Sequence, residues 1–312
     1  MAHPFRASMP GLAAAVLAVT AIVGVISPGA LNRALTHTHV AWLLVSLVAE
    51  LLSIAGYALA YRAVVHRSGR LRLSALLALR MVLTGFGMFA VLGGFSVDRL
   101  ELSELGASRK TVNRSVLSLG VLEVAVLGIA ACLASIILLS AGSGGMGLTL
   151  WPWALGVPGG AALAHWLVRP HGRLRALARP LAAIESALGQ LVHLPSAWLG
   201  MSVYFAADVV SLGAGLRAVN VPVAALPLLI AYASGFIMTR RTLPLGGAAV
   251  VELMLTFSLS SVGAPLAGAL AGVVVYRGFN LILFAGLALA ARNWQPAPGH
   301  SDAPGSSPSS SA

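Results

Sequence analysis

Six charged residues stand inside long apolar runs of this 312-residue chain: Glu50, Arg80, Glu123, Asp208, Glu252 and Arg277. An ionisable side chain at bilayer depth costs about 2.5–3.5 kcal/mol on insertion scales. Such residues usually face a bundle interior or a water-filled cavity, and they mark ion or substrate paths. Two arrangements would satisfy them. They could pair as internal ion pairs that fix helix register, or they could line a hydrated polar cavity. Six in one chain favour the cavity. Arg277 is expected to pair with an acid, Glu123 or Glu252, and to occupy a place on its helix comparable to that of Glu123.

A second cluster lies at the ends of apolar runs. Asp98, Arg99, Glu101 and Glu104 follow Gly93-Gly94-Phe95. Arg240 and Arg241 precede Pro244-Leu245-Gly246-Gly247, with Glu252 beyond. Glycines let backbone amides approach an anion, and arginine binds phosphate in a bidentate manner. A lipid phosphate is the natural ligand for such a group. The other reading is an ordinary basic loop end at headgroup level.

Other chemistries leave no trace. There is no Walker loop, no G-x-S-x-G and no H-E-x-x-H. Cys132 is the sole cysteine, which excludes an internal disulfide and a cysteine zinc cluster. His37 and His39 read as surface residues. No metal or other cofactor is expected. Gly268 and Gly272 form a G-x-x-x-G step, the mark of close helix packing.

The elements that must position these residues are membrane helices. Of the residues, 58% are hydrophobic and 9% charged, against about a quarter charged in an average soluble domain. A chain this apolar could not cover itself with a polar surface in water. A bilayer crossing needs about 20 apolar residues. Candidate segments are Gly11 to Ala30, Val40 to Tyr61, Ser74 to Val97, Ser115 to Ser140, Leu148 to Val168, Trp198 to Leu216, Val223 to Met238, Leu243 to Val262 and Pro265 to Ala291. The first lacks a small-x-small cleavage site and reads as an uncleaved span. The fold class is therefore all-α: a polytopic membrane helix bundle, over residues 1–292, in the cell membrane. The tail 293–312, rich in Pro, Gly and Ser, is expected to be disordered.

The net charge of +11 does not point to nucleic acid, because the arginines sit in short loops between apolar runs. Loops 62–73 and 169–197 read as cytoplasmic, and 141–150 as external. This assignment works if the third segment, with Gly85, Gly87, Gly93 and Gly94, enters and returns as a re-entrant helix. Within 169–197, a leucine stripe flanked by arginines marks either an amphipathic helix on the inner leaflet or a linker helix packed on the bundle.

The sequence also repeats. Residues 73–88 align without gaps on 223–238, and both blocks end in Gly-Phe-x-Met. Each is preceded by an Ala-Trp-Leu helix bearing an acid and followed by Leu-Gly-Gly. The charge pattern gives the two copies, about 40–140 and 197–291, opposite orientations, with a parallel repeat as the alternative because Arg240 and Arg241 do not sit easily on the outer side. Inverted halves with interrupted helices are the layout of many transporters.

Gly93-Gly-Phe-Ser-Val-Asp98, Leu105-Gly-Ala-Ser108 and Val116 to Glu123 resemble the first signature of the lysylphosphatidylglycerol synthase transmembrane-region family, also called flippase-like. Leu243-Pro-Leu-Gly-Gly247, Val251-Glu252, Val262-Gly-Ala-Pro265 and Val275-Tyr-Arg277 are similar to its second. Two departures stand out. The usual Pro-Leu-Pro-Gly-Gly run reads Pro-Leu-Gly-Gly, and the Pro-x-Arg-x-Gly-Glu form is not present. The resemblance implies a multi-span protein that moves lipids between leaflets, with membrane lipids as its partners. It also implies no aminoacyl transfer, since the soluble transferase domain of bifunctional members is lacking. A non-transporting scaffold for an envelope enzyme is the rival reading, and homo-oligomerisation stays open.

Overall fold

The computed structural model describes residues 38–69, 71–86, 94–142, 147–168, 175–236 and 249–292, together with Gly29. The expected first span, the tail, and Arg240, Arg241, Pro244, Gly246 and Gly247 lie outside the described residues. Among the described residues every regular element is helical. In chain order these are α1 (Val40–Gly69), α2 (Ala75–Phe86), α3 (Gly94–Glu104), α4 (Arg109–Ser140), α5 (Gly147–Val168), α6 (Arg175–Leu191), α7 (Pro195–Ala218), α8 (Ala225–Phe236), α9 (Val250–Ser261) and α10 (Leu266–Gly278). A π turn over Phe279–Leu283 joins α10 to α11 (Phe284–Arg292).

α1, α4 and α7 are long and apolar enough to cross a bilayer. At 1.5 Å per residue, the 30 residues of α1 reach about 45 Å, beyond the roughly 30 Å hydrocarbon layer. Each turns a face of large apolar side chains outward, including Leu44 and Val48 on α1, Ile129 and Leu133 on α4, and Leu199 and Val210 on α7. In water such faces would be a liability, whereas in lipid they meet their own kind. The chain is a membrane protein on this ground.

α1 and α7 form the centre of the bundle and have the most extensive contact of any pair. They run antiparallel. His39 N–H donates to the Ala218 carbonyl at one end, and Ser46 and Ser211 share a hydroxyl bond of 2.8 Å further in. At the crossing, Gly56 faces Gly200. A Cβ on Gly200 would stand 2.6 Å from the Gly56 carbonyl oxygen, so no larger residue allows this approach. The predicted G-x-x-x-G packing is also found: a Cβ on Gly272 or Gly268 would lie 2.5 Å from Leu216 or Val221, against α7 and the turn after it.

The third and seventh sequence segments hold short helices. α2 and α8 have 12 residues each, and both end on Gly-Phe. About 18 Å of helix cannot cross the bilayer alone. α2 packs on α3, and α8 packs on α9. The last span also departs from a plain helix, because the π turn interrupts its hydrogen-bond ladder just after Arg277. α6 lies against α4 and α5 and buries Ala187 and Leu191. That contact matches the linker helix packed on the bundle.

Two turns share one geometry. Gly106 and Gly263 both have positive φ, at 78° and 99°. In each, the next alanine N–H bonds a leucine carbonyl five residues back, Ala107 to Leu102 and Ala264 to Leu259. This is the Schellman closure of a helix, and the left-handed residue is glycine because a Cβ is strained there. Counting 17 residues from each glycine gives Glu123 and Asn280. Arg277, expected at a place comparable to that of Glu123, comes 14 residues after its glycine.

Candidate functional site

The buried charges fall into three groups. The first spans the bundle. Arg277 on α10 donates from Nε to Glu252 Oε1 on α9 at 2.8 Å. Its Nη1 donates to Asn280 Oδ1 in the π turn at 3.0 Å. Asn280 Nδ2 in turn donates to Glu50 Oε2 on α1 at 3.1 Å. Four polar side chains thus make a continuous chain across three segments. Glu50 is fully buried, and Arg277 and Asn280 are 2% and 1% exposed. The π turn explains Asn280: the extra residue re-aims its side chain, a common use of π bulges at functional sites. Glu252 is the acid that meets Arg277, one of the two expected. Glu123 is bonded elsewhere.

The second group surrounds Asp208 on α7, which is wholly buried. Its Oδ2 accepts from Tyr232 on α8, through a very short bond, and from Tyr276 on α10 at 3.0 Å. Phe205 and Tyr204 pack beside them, with ring centroids 4.6 Å apart. Tyr276 adjoins Arg277 in sequence, so the first two groups share α10.

The third group belongs to the first half of the chain. Tyr57 on α1 donates to Glu123 Oε1 on α4 at 2.6 Å. Thr84 on α2 donates to Glu101 Oε1 on α3 at 2.5 Å. Asp98, also on α3 and wholly buried, neighbours Glu101 and Glu123. Arg80 on α2 lies near Glu101. Tyr61 is buried beside Asp98 and Glu101. The first and third groups meet on α1, which carries Glu50, Tyr57 and Tyr61.

Of the sequence-selected residues, Glu50, Glu252 and Arg277 are brought into one chain. Arg80, Asp98, Glu101 and Glu123 share a neighbourhood. Asp208 is separate. Arg99 and Glu104 sit at the more exposed side of α3. Among the described residues, no group of three metal-ligating side chains is assembled. His39 bonds Asn220 at 3.0 Å on the exposed end of the bundle.

Residue selection by charge missed Asn280 and the tyrosines. The tyrosines left a signal. The chain has five, and all five are buried in the core: Tyr57, Tyr61, Tyr204, Tyr232 and Tyr276. In membrane proteins tyrosine usually lies at the water interface. A tyrosine in mid-span needs a partner for its hydroxyl, and three of these find a carboxylate.

The surface adds two apolar grooves. One, of about 470 Å³, runs between α4, α7 and α8 along Leu133, Trp198, Phe205 and Leu229. The other, of about 550 Å³, runs along α1 and α7 past Val48, Leu52 and Val210. Ala206 lines both. Phe205 connects the first groove to the tyrosines around Asp208 through its ring contact with Tyr232.

In comparison with known proteins, the chain matches no family model and no curated protein.

Proposed function

We propose that this chain moves a phospholipid or another envelope lipid between leaflets of the cell membrane, as a multi-pass flippase-like protein. The observation that carries the reading is the buried chain Glu50–Asn280–Arg277–Glu252. An apolar bundle needs no such chain for stability, since well-packed hydrophobic residues often replace a buried ion pair at no loss. Charges kept at this depth mark a path for a polar group or an ion.

The layout of the helices supports the same reading. α1 and α7 precede equivalent short helices and run antiparallel. α4, the long helix of the first half, packs on α8 of the second. α11, at the end of the second half's last span, packs on α2 of the first. With the matching glycine turns, these relations support two halves of opposite orientation, crossed over one another. In transporters of that layout the site lies near the midplane, where interrupted helices meet. The α2/α3 and α8/α9 pairs would be those interrupted helices. A headgroup would use the polar interior while acyl chains follow the apolar grooves. Pro244, Gly246 and Gly247 join this reading through the second signature of the family the chain resembles, and Arg240 and Arg241 through their place just before it in the sequence, as candidate headgroup contacts.

One observation favours a non-transporting scaffold instead. Glu50, Asp208 and Arg277 are shut off from solvent and bonded to protein groups. In a transporter this is the closed state, and the chain of bonds must open during the cycle. In a scaffold it is permanent. A leaflet-resolved lipid assay on the purified protein in liposomes separates the two.

A further inference from the structure

A cavity of about 480 Å³ lies outside all three buried groups, at the end of α1 that leads into the loop before α2. Arg62 and His66 line it from successive turns of α1, and Arg72 lines it from the loop. Ser196, in the first turn of α7, closes the far side. Leu59 and Leu73 form its apolar wall, with Leu59 41% exposed on the lipid-facing flank of α1. None of the three basic residues meets an acid in an ion pair among the described residues, and α7 has no acid in its first turn. The positive end of the 24-residue α7 dipole therefore adds to three uncompensated basic side chains around one cavity.

We propose that this pocket binds a phosphate group. Arginine offers a planar fork that matches phosphate oxygens in pairs, and a helix N-terminus with a hydroxyl suits the same anion. The basic end of α1 belongs to the cytoplasmic side by its arginine content. An anionic phospholipid can reach the site from that leaflet, with its first acyl carbons against Leu59 and Leu73. A soluble phosphate ester would use the same donors from the water. The site stands apart from Glu50, Arg277 and Asp208, and its occupancy does not depend on lipid movement.

The test is native mass spectrometry of the full chain in mild detergent, with dioleoylphosphatidylglycerol, dioleoylphosphatidylcholine and inorganic phosphate as separate probes. The wild type should retain the anionic lipid in preference to the zwitterionic one. Each basic contact near the membrane surface is worth about fivefold in affinity, so Arg62→Gln/Arg72→Gln should weaken retention roughly 25-fold. Arg67→Gln, on the same helix but outside the lining, should leave it unchanged. His66→Asn gives a milder single change if the double variant does not fold. Retention of the anionic lipid that inorganic phosphate does not displace assigns the site to a headgroup. Displacement by millimolar phosphate, with the same loss in the double variant, assigns it to a soluble phosphate. Equal retention of both lipids, or retention unaltered by Arg62→Gln/Arg72→Gln and by His66→Asn, overturns the proposal.

Discussion

Removing Arg277 leaves Glu252 without its guanidinium and Asn280 without its donor. The contact to Glu252 is 2.8 Å, with the two side chains 3% and 14% exposed, so solvent cannot compensate. Loss of one partner from a buried ion pair costs about 3–5 kcal/mol, most of it the stranded charge. Arg277→Met should therefore lower the thermal midpoint of the purified protein sharply and reduce folded yield. Adding Glu252→Gln removes the stranded charge, and the double variant should recover about 1–3 kcal/mol of the loss. Arg277→Lys should fall between, because a lysine keeps the charge but not the fork that reaches Glu252 and Asn280 together. The assay is unfolding in detergent, followed by tryptophan fluorescence across a denaturant series, for both single variants and the double. Strictly additive losses from Arg277→Met and Glu252→Gln would refute the coupling.

Three further outcomes follow from the packing and the charge pattern. Gly200→Val should disrupt the α1–α7 crossing, since its Cβ would stand 2.6 Å from a backbone oxygen; overpacking of this kind costs about 1–3 kcal/mol or more. Gly156→Ala, where nothing lies within 4 Å, should leave the unfolding midpoint close to wild type, and a comparable drop in both variants would contradict the packing argument. Tyr232→Phe and Tyr276→Phe should each cost about 0.5–1.5 kcal/mol, as for one buried hydrogen bond, since the remaining tyrosine still serves Asp208; no change in either midpoint would deny Asp208 its role in the core. For orientation, an impermeant thiol reagent on intact cells should label Ala141→Cys and not Ser186→Cys in a Cys132→Ala background, and the opposite labelling would invert the topology.

The charges were the most legible part of the sequence. Glu50, Asp208 and Arg277 stand out against apolar neighbours, and burial of each follows from the same cost that makes them conspicuous. What a sequence could not supply was register. Glu123 and Arg277 each follow a Gly-Ala turn, but at 17 and 14 residues from the glycine, and a π turn follows just beyond Arg277. Which acid takes Arg277 depended on the approach of α9 to α10, a tertiary matter. The tyrosine hydroxyls escaped a search based on charge, although five mid-span tyrosines were visible from the start. Gly56 and Gly200 were equally hidden, because one glycine in an apolar helix looks like any other until its opposite number is known.

The central claim is lipid movement through a bundle gated by Glu50, Asn280, Arg277 and Glu252. The most direct measurement follows a headgroup-labelled phospholipid in liposomes holding the purified full chain, with dithionite bleaching the outer leaflet. Wild-type protein should let the reagent reach clearly more than the half of the label that protein-free liposomes expose. Asn280→Leu, which severs the link between Glu50 and Arg277, should change that rate when equal amounts of folded protein are reconstituted. Wild-type liposomes that bleach like empty ones across anionic, zwitterionic and isoprenoid-linked lipids would contradict the claim and leave the scaffold reading standing.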